Sequence, residues 1–238
     1  MRRYGVLLLL QWLPLAAFAQ EDAWRVSVVP YVWGASLEGD AQLGPLPSVS
    51  VHNSFNDTLS HLDMAAMAII DMRRGRWGLL SDLTWVDTSE TAQVPRVGID
   101  AELSTRVATA SLMAQYRFID DRVFRMDAVG GARYWQLRGD VTVPALVRSA
   151  DLSRDWVDPL LGVRAAWAWG GRHGITVWAL GSAGDAVTWD LMASYGVRIT
   201  DHGWLRVGYR SLSLREVSRG VDLDLTLAGP GLGLEWRY

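Results

Sequence analysis

Residues 229–238 read GPGLGLEWRY, and the chain stops there on an aromatic residue. Leu232, Leu234, Trp236 and Tyr238 recur at a strict period of two, which sets four apolar side chains on one face of a strand. Gly231, Gly233, Glu235 and Arg237 occupy the other face. A strand of about ten residues with one apolar and one polar face has the length and pattern of a transmembrane β-strand. A strand of a soluble sandwich can carry the same pattern, so other segments have to separate the two.

The beginning of the chain bears on the choice. Arg2 and Arg3 precede an apolar run through residue 19, which contains Leu7–Leu10 and closes on Ala17-Phe18-Ala19. The order basic, apolar, small-x-small reads as a secretory signal cleaved after about Ala19. A membrane anchor is the alternative, but the run is short for a helical span. The domain plan is therefore a signal peptide over 1–19 and one domain over 20–238. There is no cysteine, which excludes disulfides, a lipidated cysteine and thiolate metal sites.

A formal net charge of −3 gives no indication of nucleic acid as a partner. All 23 basic residues are Arg, whose planar fork suits buried pairing with carboxylates. Thirteen Trp is a high number for 238 residues, and Trp is favoured where one end of the side chain is in apolar material and the other is wet.

Two kinds of connection alternate along the chain. Short turn signals lie at 73–76, 119–122, 170–173 and 200–203. Longer connections are expected at 38–61, 88–98, 140–154 and 215–221, with a tight one near Gly184-Asp185. Short turns at one end and longer loops at the other is the asymmetry of an outer-membrane barrel.

Several runs repeat the two-faced pattern of the last strand. Val187, Trp189, Leu191, Ala193, Tyr195, Val197 and Ile199 oppose Thr188, Asp190, Ser194, Gly196 and Arg198. Phe124, Met126, Ala128, Ala132 and Tyr134 oppose Arg125, Asp127 and Arg133, and Ala108–Phe118 and Val157–Trp169 behave alike. Residues 62–72 and 77–85 fit less cleanly, and 174–184 is apolar on both faces.

The fold expected is all-β: an up-and-down antiparallel transmembrane β-barrel of about ten strands, with eight or twelve as alternatives. The strands are expected at about 24–38, 62–73, 76–88, 98–118, 123–141, 154–169, 174–184, 187–200, 203–215 and 221–238. An even count puts both ends on one side, taken as periplasmic. Leu223, Leu225 and Leu227 are odd whereas Leu232 onward is even. A bulge at Gly229-Pro230-Gly231 would absorb that shift, and a hairpin turn there is the competing reading.

The aromatic residues divide into two groups. Trp24, Trp77, Tyr116, Phe118, Phe124, Trp167, Trp169, Trp204, Trp236 and Tyr238 fall next to the short turns or the chain ends, and Trp85, Tyr134, Trp135 and Trp189 near the opposite ends. Membrane interfaces select two such belts.

The segments VVPYVWGASLEGD (28–40), FNDTLSHLDMAAM (55–67), RRGRWGLLSDLTWVD (73–87), GGARYW (130–135), WVDPLLGVR (156–164), GYRSLS (208–213) and LDLTLAGPGLGLEWRY (223–238) cover most of the mature chain. In that order they resemble small, mostly uncharacterised proteobacterial outer-membrane β-barrel proteins, with an OmpA/OmpW-like, porin-like barrel domain. The resemblance implies residence in the cell outer membrane of a Gram-negative organism, without an established molecular role or catalytic residues. Members usually end in Phe where this chain has Tyr238. Leu232, Leu234, Trp236 and Tyr238 are the expected assembly signal, with the outer-membrane lipid and the barrel-assembly machinery as expected partners.

The inward face expected from the alternation collects Arg117, Arg125, Asp127, Arg133, Asp158, Arg164, Asp190, Arg198, Arg206 and Arg210, together with Arg25, Arg73, Arg237, Asp63, Asp71, Asp82 and Glu235. One reading is a selectivity lining or pocket for a small solute. The other, which weighs more in a narrow barrel filled by its own side chains, is a network of paired charges.

No catalytic, metal or cofactor residues are assigned. His52 and His61, with Asp57 and Ser60 nearby, lie in a polar loop with nothing to orient a base, and their spacing matches no closed metal set. Asn56-Asp57 could cap one helical turn over 58–62, and the 45–61 segment could plug the barrel mouth or project from it. Functionally the expectation is a structural or surface barrel with a charge-filled lumen. A narrow channel or conduit for small solutes is the alternative, and a lipid-acting barrel enzyme the weakest reading.

Overall fold

The structure is a computed structural model that describes residues 23–43, 49–53, 62–94, 99–143, 148–183, 186–218 and 221–238. Its strands are β1 (Arg25–Trp33), β2 (Ser36–Leu43), β3 (Val49–Asn53), β4 (Leu62–Arg74), β5 (Trp77–Val94), β6 (Ile99–Asp120), β7 (Phe124–Val143), β8 (Arg148–Trp169), β9 (His173–Ala183), β10 (Ala186–Arg198), β11 (Gly203–Ser218) and β12 (Val221–Arg237). No helix occurs among the described residues.

All twelve belong to one sheet, and it closes because β1 pairs with β12. β2 continues β1 against β12 in the same register, from Ser27↔Arg237 to Leu43↔Val221. β3 pairs with β2 alone. The closed ring is therefore β1 and β4 through β12, an up-and-down antiparallel transmembrane barrel of ten strands. Both ends of the ring lie at its short-turn end, where Val26 and Tyr238 exchange two backbone hydrogen bonds at 3.1 and 2.8 Å.

Turn chemistry explains that end. Gly170 and Gly171 connect β8 to β9 with φ of +57° and +64°, the left-handed region that glycine reaches without a Cβ clash. Gly75, at φ +57°, does the same between β4 and β5.

The stretches expected as long loops are mostly strand. β5 and β6 pair out to Val94↔Ile99, and β7 and β8 to Val143↔Arg148. Part of 38–61 is the β2–β3 hairpin. The proposed helical turn at Asn56-Asp57, and His61 and Ser60 with it, lie outside the described residues, while Leu62 already belongs to β4.

The bulge expected at Gly229-Pro230-Gly231 is absent. β12 pairs with β11 without interruption from Trp236↔Gly203 to Val221↔Ser218. The parity change has another cause. Along the lower part of β12, Leu232, Leu234 and Trp236 point outward and are exposed. Along the upper part, Leu225 and Leu227 share the inner face with buried Leu212 and Leu214, while exposed Asp224 lies on the outer face. Below, lipid requires an apolar outside. Above, water surrounds the wall and the apolar side chains turn in. The strand stays regular while its environment inverts.

The outer face carries the apolar band. Trp77, Leu112, Val157, Leu161, Trp167, Trp169, Val187, Trp189, Leu191, Val207, Leu232, Leu234 and Tyr238 are all exposed there. Trp77 and Trp85 are eight residues apart on β5, about 26 Å of strand. Outward-facing ion pairs mark the upper limit of the band: Arg106–Asp87 at 2.6 Å and Arg138–Asp155 at 2.9 Å. Two tryptophans assigned to the belts from sequence point inward instead. Trp204 is buried with the Arg237 guanidinium 4.0 Å from its ring centre, and Trp135 is buried and stacked on Trp156 at 5.4 Å.

Candidate functional site

The inner face is built in three levels, each set by alternation along strands that share a register. The upper level is a charge network crossing the barrel. Arg210 on β11 donates from Nε and Nη2 to Asp190 on β10, at 3.0 and 2.6 Å. Its Nη2 also lies 2.6 Å from Asp82 on β5, and its Nη1 donates to the Tyr31 hydroxyl on β1 at 2.9 Å. Tyr31 in turn donates to Asp82 at 2.8 Å. Arg133 on β7 reaches Asp190 at 2.5 Å and Ser111 at 2.8 Å. The Trp178 indole also donates to Asp190, at 3.1 Å. Asp82, Asp190 and Arg133 are at most 1% exposed. The Arg210 guanidinium also lies over the rings of Trp33 and Trp178, at 5.1 and 5.3 Å from the ring centres.

The middle level is apolar: Leu80, Met113, Val129, Leu160, Trp178 and Leu180 form one buried cluster, flanked by Ile69 and Met192. This layer accounts for two sequence irregularities. β9 is apolar on both faces because Trp178 and Leu180 meet the cluster while Ile175 faces outward, and β5 alternates poorly because Leu80 is inside between outward Leu79 and Ser81.

The lower level is charged again. Arg164 donates to Asp71 at 2.5 Å, and Gln115 donates to the other oxygen of Asp71 at 2.5 Å. Arg73 and Arg117 share Asp127, at 2.9 and 3.0 Å. Arg206 and Arg237 share Glu235, at 2.6 and 2.8 Å, and Ser27 donates to it at 2.8 Å. Each acceptor carries more than one charge-assisted hydrogen bond, as buried carboxylates require.

Of the residues singled out from sequence, Arg117, Asp127, Arg133, Arg164, Asp190, Arg206 and Arg210 lie in these levels. Asp158 is buried beside Arg133 and accepts from the Trp156 indole at 3.1 Å. Arg125 does not join them. It is 43% exposed at the rim, 3.6 Å from Asp120. Arg198 is half-buried at the same end and makes no ion pair among the described residues. Leu232, Leu234, Trp236 and Tyr238 form an outward row. The sequence reading missed Tyr31, Ser111, Gln115 and Trp178 in the networks. Parity alone would have put them on the inner face, but nothing in the one-dimensional pattern says which walls they reach.

Between upper and lower levels, against β1, β11 and β12, lies a cavity of about 80 Å³. Val29, Ile69, Trp33, Trp178 and Met192 supply apolar walls. Gly208, Gly231 and Gly233 line the β11–β12 side, where Gly231 has room for a side chain. Arg210 bounds it above, and Asp71, Arg164, Arg206 and Glu235 below.

Among the described residues, no group of three His, Asp or Glu side chains is placed to hold a metal ion.

No protein-family model matches the chain, and no curated protein sequence matches it. The chain bears a distant likeness to several solved structures. Ail, the attachment invasion locus protein of Yersinia pestis, is 8% identical over 90% of this chain and 98% of its own, with a TM-score of 0.37. The translocator domain of the autotransporter NalP from Neisseria meningitidis is 10% identical over 91% and 88%, with a TM-score of 0.44. An outer membrane channel from Pseudomonas putida F1 is 9% identical over 92% and 98%, with a TM-score of 0.40. The architecture given above rests on the strand ladders of this chain, not on these likenesses.

Proposed function

We propose that this chain is a non-catalytic structural or surface barrel of the Gram-negative outer membrane, with a lumen closed by its own side chains. The observation that carries this reading is the link Asp82–Arg210–Asp190–Arg133, which joins β5, β11, β10 and β7 across the interior with nearly complete burial. A water-filled pore would leave such groups hydrated. Here they are paired with one another above a buried apolar layer.

The outward apolar band supports the membrane location, since water cannot accommodate a continuous belt of exposed Trp, Leu and Val. The outward row Leu232, Leu234, Trp236 and Tyr238 is available to the barrel-assembly machinery, and the leader over 1–19 would deliver the chain to it.

Planar-bilayer recording tests the closed lumen. The purified protein, folded as judged by a heat-dependent gel shift, is expected to give no discrete current steps in concentrated KCl. Regular steps from the native chain would replace this reading with the narrow-channel alternative. Recovery from the inner-membrane or soluble fraction would contradict the location.

A further inference from the structure

The inner face is not evenly charged from top to bottom. In the upper level Arg133 and Arg210 meet the carboxylates of Asp82 and Asp190. In the lower level Arg73, Arg117, Arg164 and Arg206 meet only Asp71, Asp127 and Glu235. Below them, at the short-turn mouth, further arginines end the inward rows: Arg25 on β1, Arg125 on β7, Arg198 on β10 and Arg237 on β12.

Few carboxylates balance this last row. Asp120 is 3.6 Å from Arg125 and is shared with Arg117 at 3.5 Å. Arg237 takes Glu235, which Arg206 already holds. The terminal carboxylate of Tyr238 lies at the same end and accepts from the Val26 N–H at 3.1 Å. Asp121 and Asp201, in the turns, are exposed. Arg25 and Arg198 make no ion pair among the described residues.

The geometry of the ring makes the excess converge. β7 and β12 are on opposite sides of it, and β1 is next to β12. Yet Arg125 on β7 is within electrostatic range of Arg117, Arg25 and Arg237, all of which repel it. Their charges therefore meet across the mouth. Arg25 also stands directly opposite Arg73, a like-charge pair that a sheet disfavours. The Arg237 guanidinium is 4.0 Å from the centre of the Trp204 ring, and Trp204 is the cross-strand partner of Arg198, which sets both arginines beside one indole. The side chains of Arg125 and Arg237 are 43% and 44% exposed, so this row is open to a solute where the levels above it are not.

We propose that the short-turn mouth binds a soluble, multiply charged anion bearing phosphate, with Arg25, Arg125, Arg198 and Arg237 donating to its oxygens. A guanidinium fork matches phosphate oxygens and keeps its charge at any physiological pH. A converging set of arginines with too few carboxylates gains from such a counter-charge. A phospholipid headgroup offers the same chemistry, but headgroups surround the outer wall and these arginines end the inner rows. Binding needs no passage through the barrel, so a lumen closed to ions leaves it intact. Only the assignment of this mouth to the periplasm rests on the orientation proposed above.

Calorimetry with inorganic pyrophosphate, on the native chain folded in a phosphate-free maltoside detergent at fixed ionic strength, tests the site. Saturable binding is expected. Arg25→Gln with Arg125→Gln removes two donors, neither of which belongs to a buried pair, and should weaken binding at least about tenfold. A retained heat-dependent gel shift shows that this variant folds. Arg106→Gln with Arg138→Gln removes the same charge from the outer face at the other end and should leave the affinity within about twofold of native. Asp120→Asn, which frees Arg117 and Arg125 of a competing carboxylate, should tighten binding about threefold, a gain that misfolding cannot imitate. Absence of saturable binding to the native chain, equal losses in the two double variants, or no gain in Asp120→Asn overturns the site. Native mass spectrometry after exposure to phosphatidylglycerol separates the two sources of phosphate. A lipid adduct held by the native chain and lost from the Arg25/Arg125 variant gives the site to a headgroup and overturns the soluble ligand, whereas equal adducts on both support it.

Discussion

Arg210 and Asp190 lie diagonally on adjacent strands, with Met192 opposite Arg210 and Leu212 opposite Asp190, and form a two-pronged pair, Nε to Oδ1 at 3.0 Å and Nη2 to Oδ2 at 2.6 Å. The same guanidinium also serves Asp82 and Tyr31, so one side chain ties β1, β5, β10 and β11 together. Removing one partner of such a set leaves buried charge uncompensated. Asp190→Ala, which removes the carboxylate that Arg133 and Arg210 share, is expected to destabilise the barrel by about 3–5 kcal/mol. Urea unfolding in lipid vesicles, followed by Trp fluorescence, measures it. A loss below about 1 kcal/mol, the range of an exposed pair, would mean that the network is hydrated.

The lipid-facing band predicts a position-dependent penalty. Leu161 is 73% exposed near the middle of β8's outer face. Leu161→Arg should cost about 2–4 kcal/mol, and Ser153→Arg, on the same face beyond Asp155, about 0–1 kcal/mol. Equal effects at the two positions in the same unfolding assay would remove the assignment of the band.

Gly162 and Gly231 offer a steric contrast. A Cβ at Gly162 would run into the Ala179 carbonyl and the Leu180 backbone on β9, whereas at Gly231 it would sit in ordinary contact. Gly162→Ala has to force β8 and β9 apart and should cost at least about 1–3 kcal/mol. Gly231→Ala should change stability by less than about 0.5 kcal/mol. Thermal or urea unfolding of the two variants side by side tests the β8–β9 register.

Asp155 lies above the apolar band, and Arg138 donates to both its oxygens, at 2.9 and 3.0 Å. That pairing holds the Asp155 carboxyl below the usual carboxylate range. Its stabilising contribution is therefore fully present above the unfolded-state value and is lost as pH falls through the lower folded value. An NMR titration should find the Asp155 midpoint below that of a free aspartate, and Arg138→Gln should return it upward. An unshifted midpoint in the native chain would break the pair.

Tyr238 binds Val26 through its backbone, while its side chain faces outward at the end of the Leu232, Leu234, Trp236 row. Tyr238→Phe should assemble at least as well as the native chain. Tyr238→Asp should assemble poorly in cells yet fold from urea into detergent with little loss, because the seam bonds are main-chain. If both routes suffer alike, the residue acts in stability and not in recognition by the assembly machinery.

Much of this architecture was legible in one dimension. Period-two alternation on 108–118, 124–134, 157–169 and 187–199 identified both faces of four strands, because lipid outside and paired charge inside impose opposite demands on neighbouring residues. Where those demands relax, the reading weakened. Leu80 and Trp178 lie in an interior layer as apolar as the exterior, so β5 and β9 lost their contrast. Above the bilayer the contrast reverses, and in one dimension the reversal at Leu227 to Leu232 has the same signature as a bulge. Trp135 and Trp204 read as belt residues in the sequence because an indole suits an interface and a packed interior equally well.

By itself, the order of residues determined that this chain forms strands, which faces of most strands are apolar, where the short turns lie and that Arg and carboxylates share the inside. Those are local consequences of side-chain period and turn chemistry. Only the tertiary structure decided that ten strands close the ring and that Arg210 reaches Asp82, 128 residues away in sequence. It also brought Arg25, Arg125 and Arg237, on three separate strands, to one mouth. These depend on closure and shear, which set strands far apart in sequence side by side and are written in no single segment.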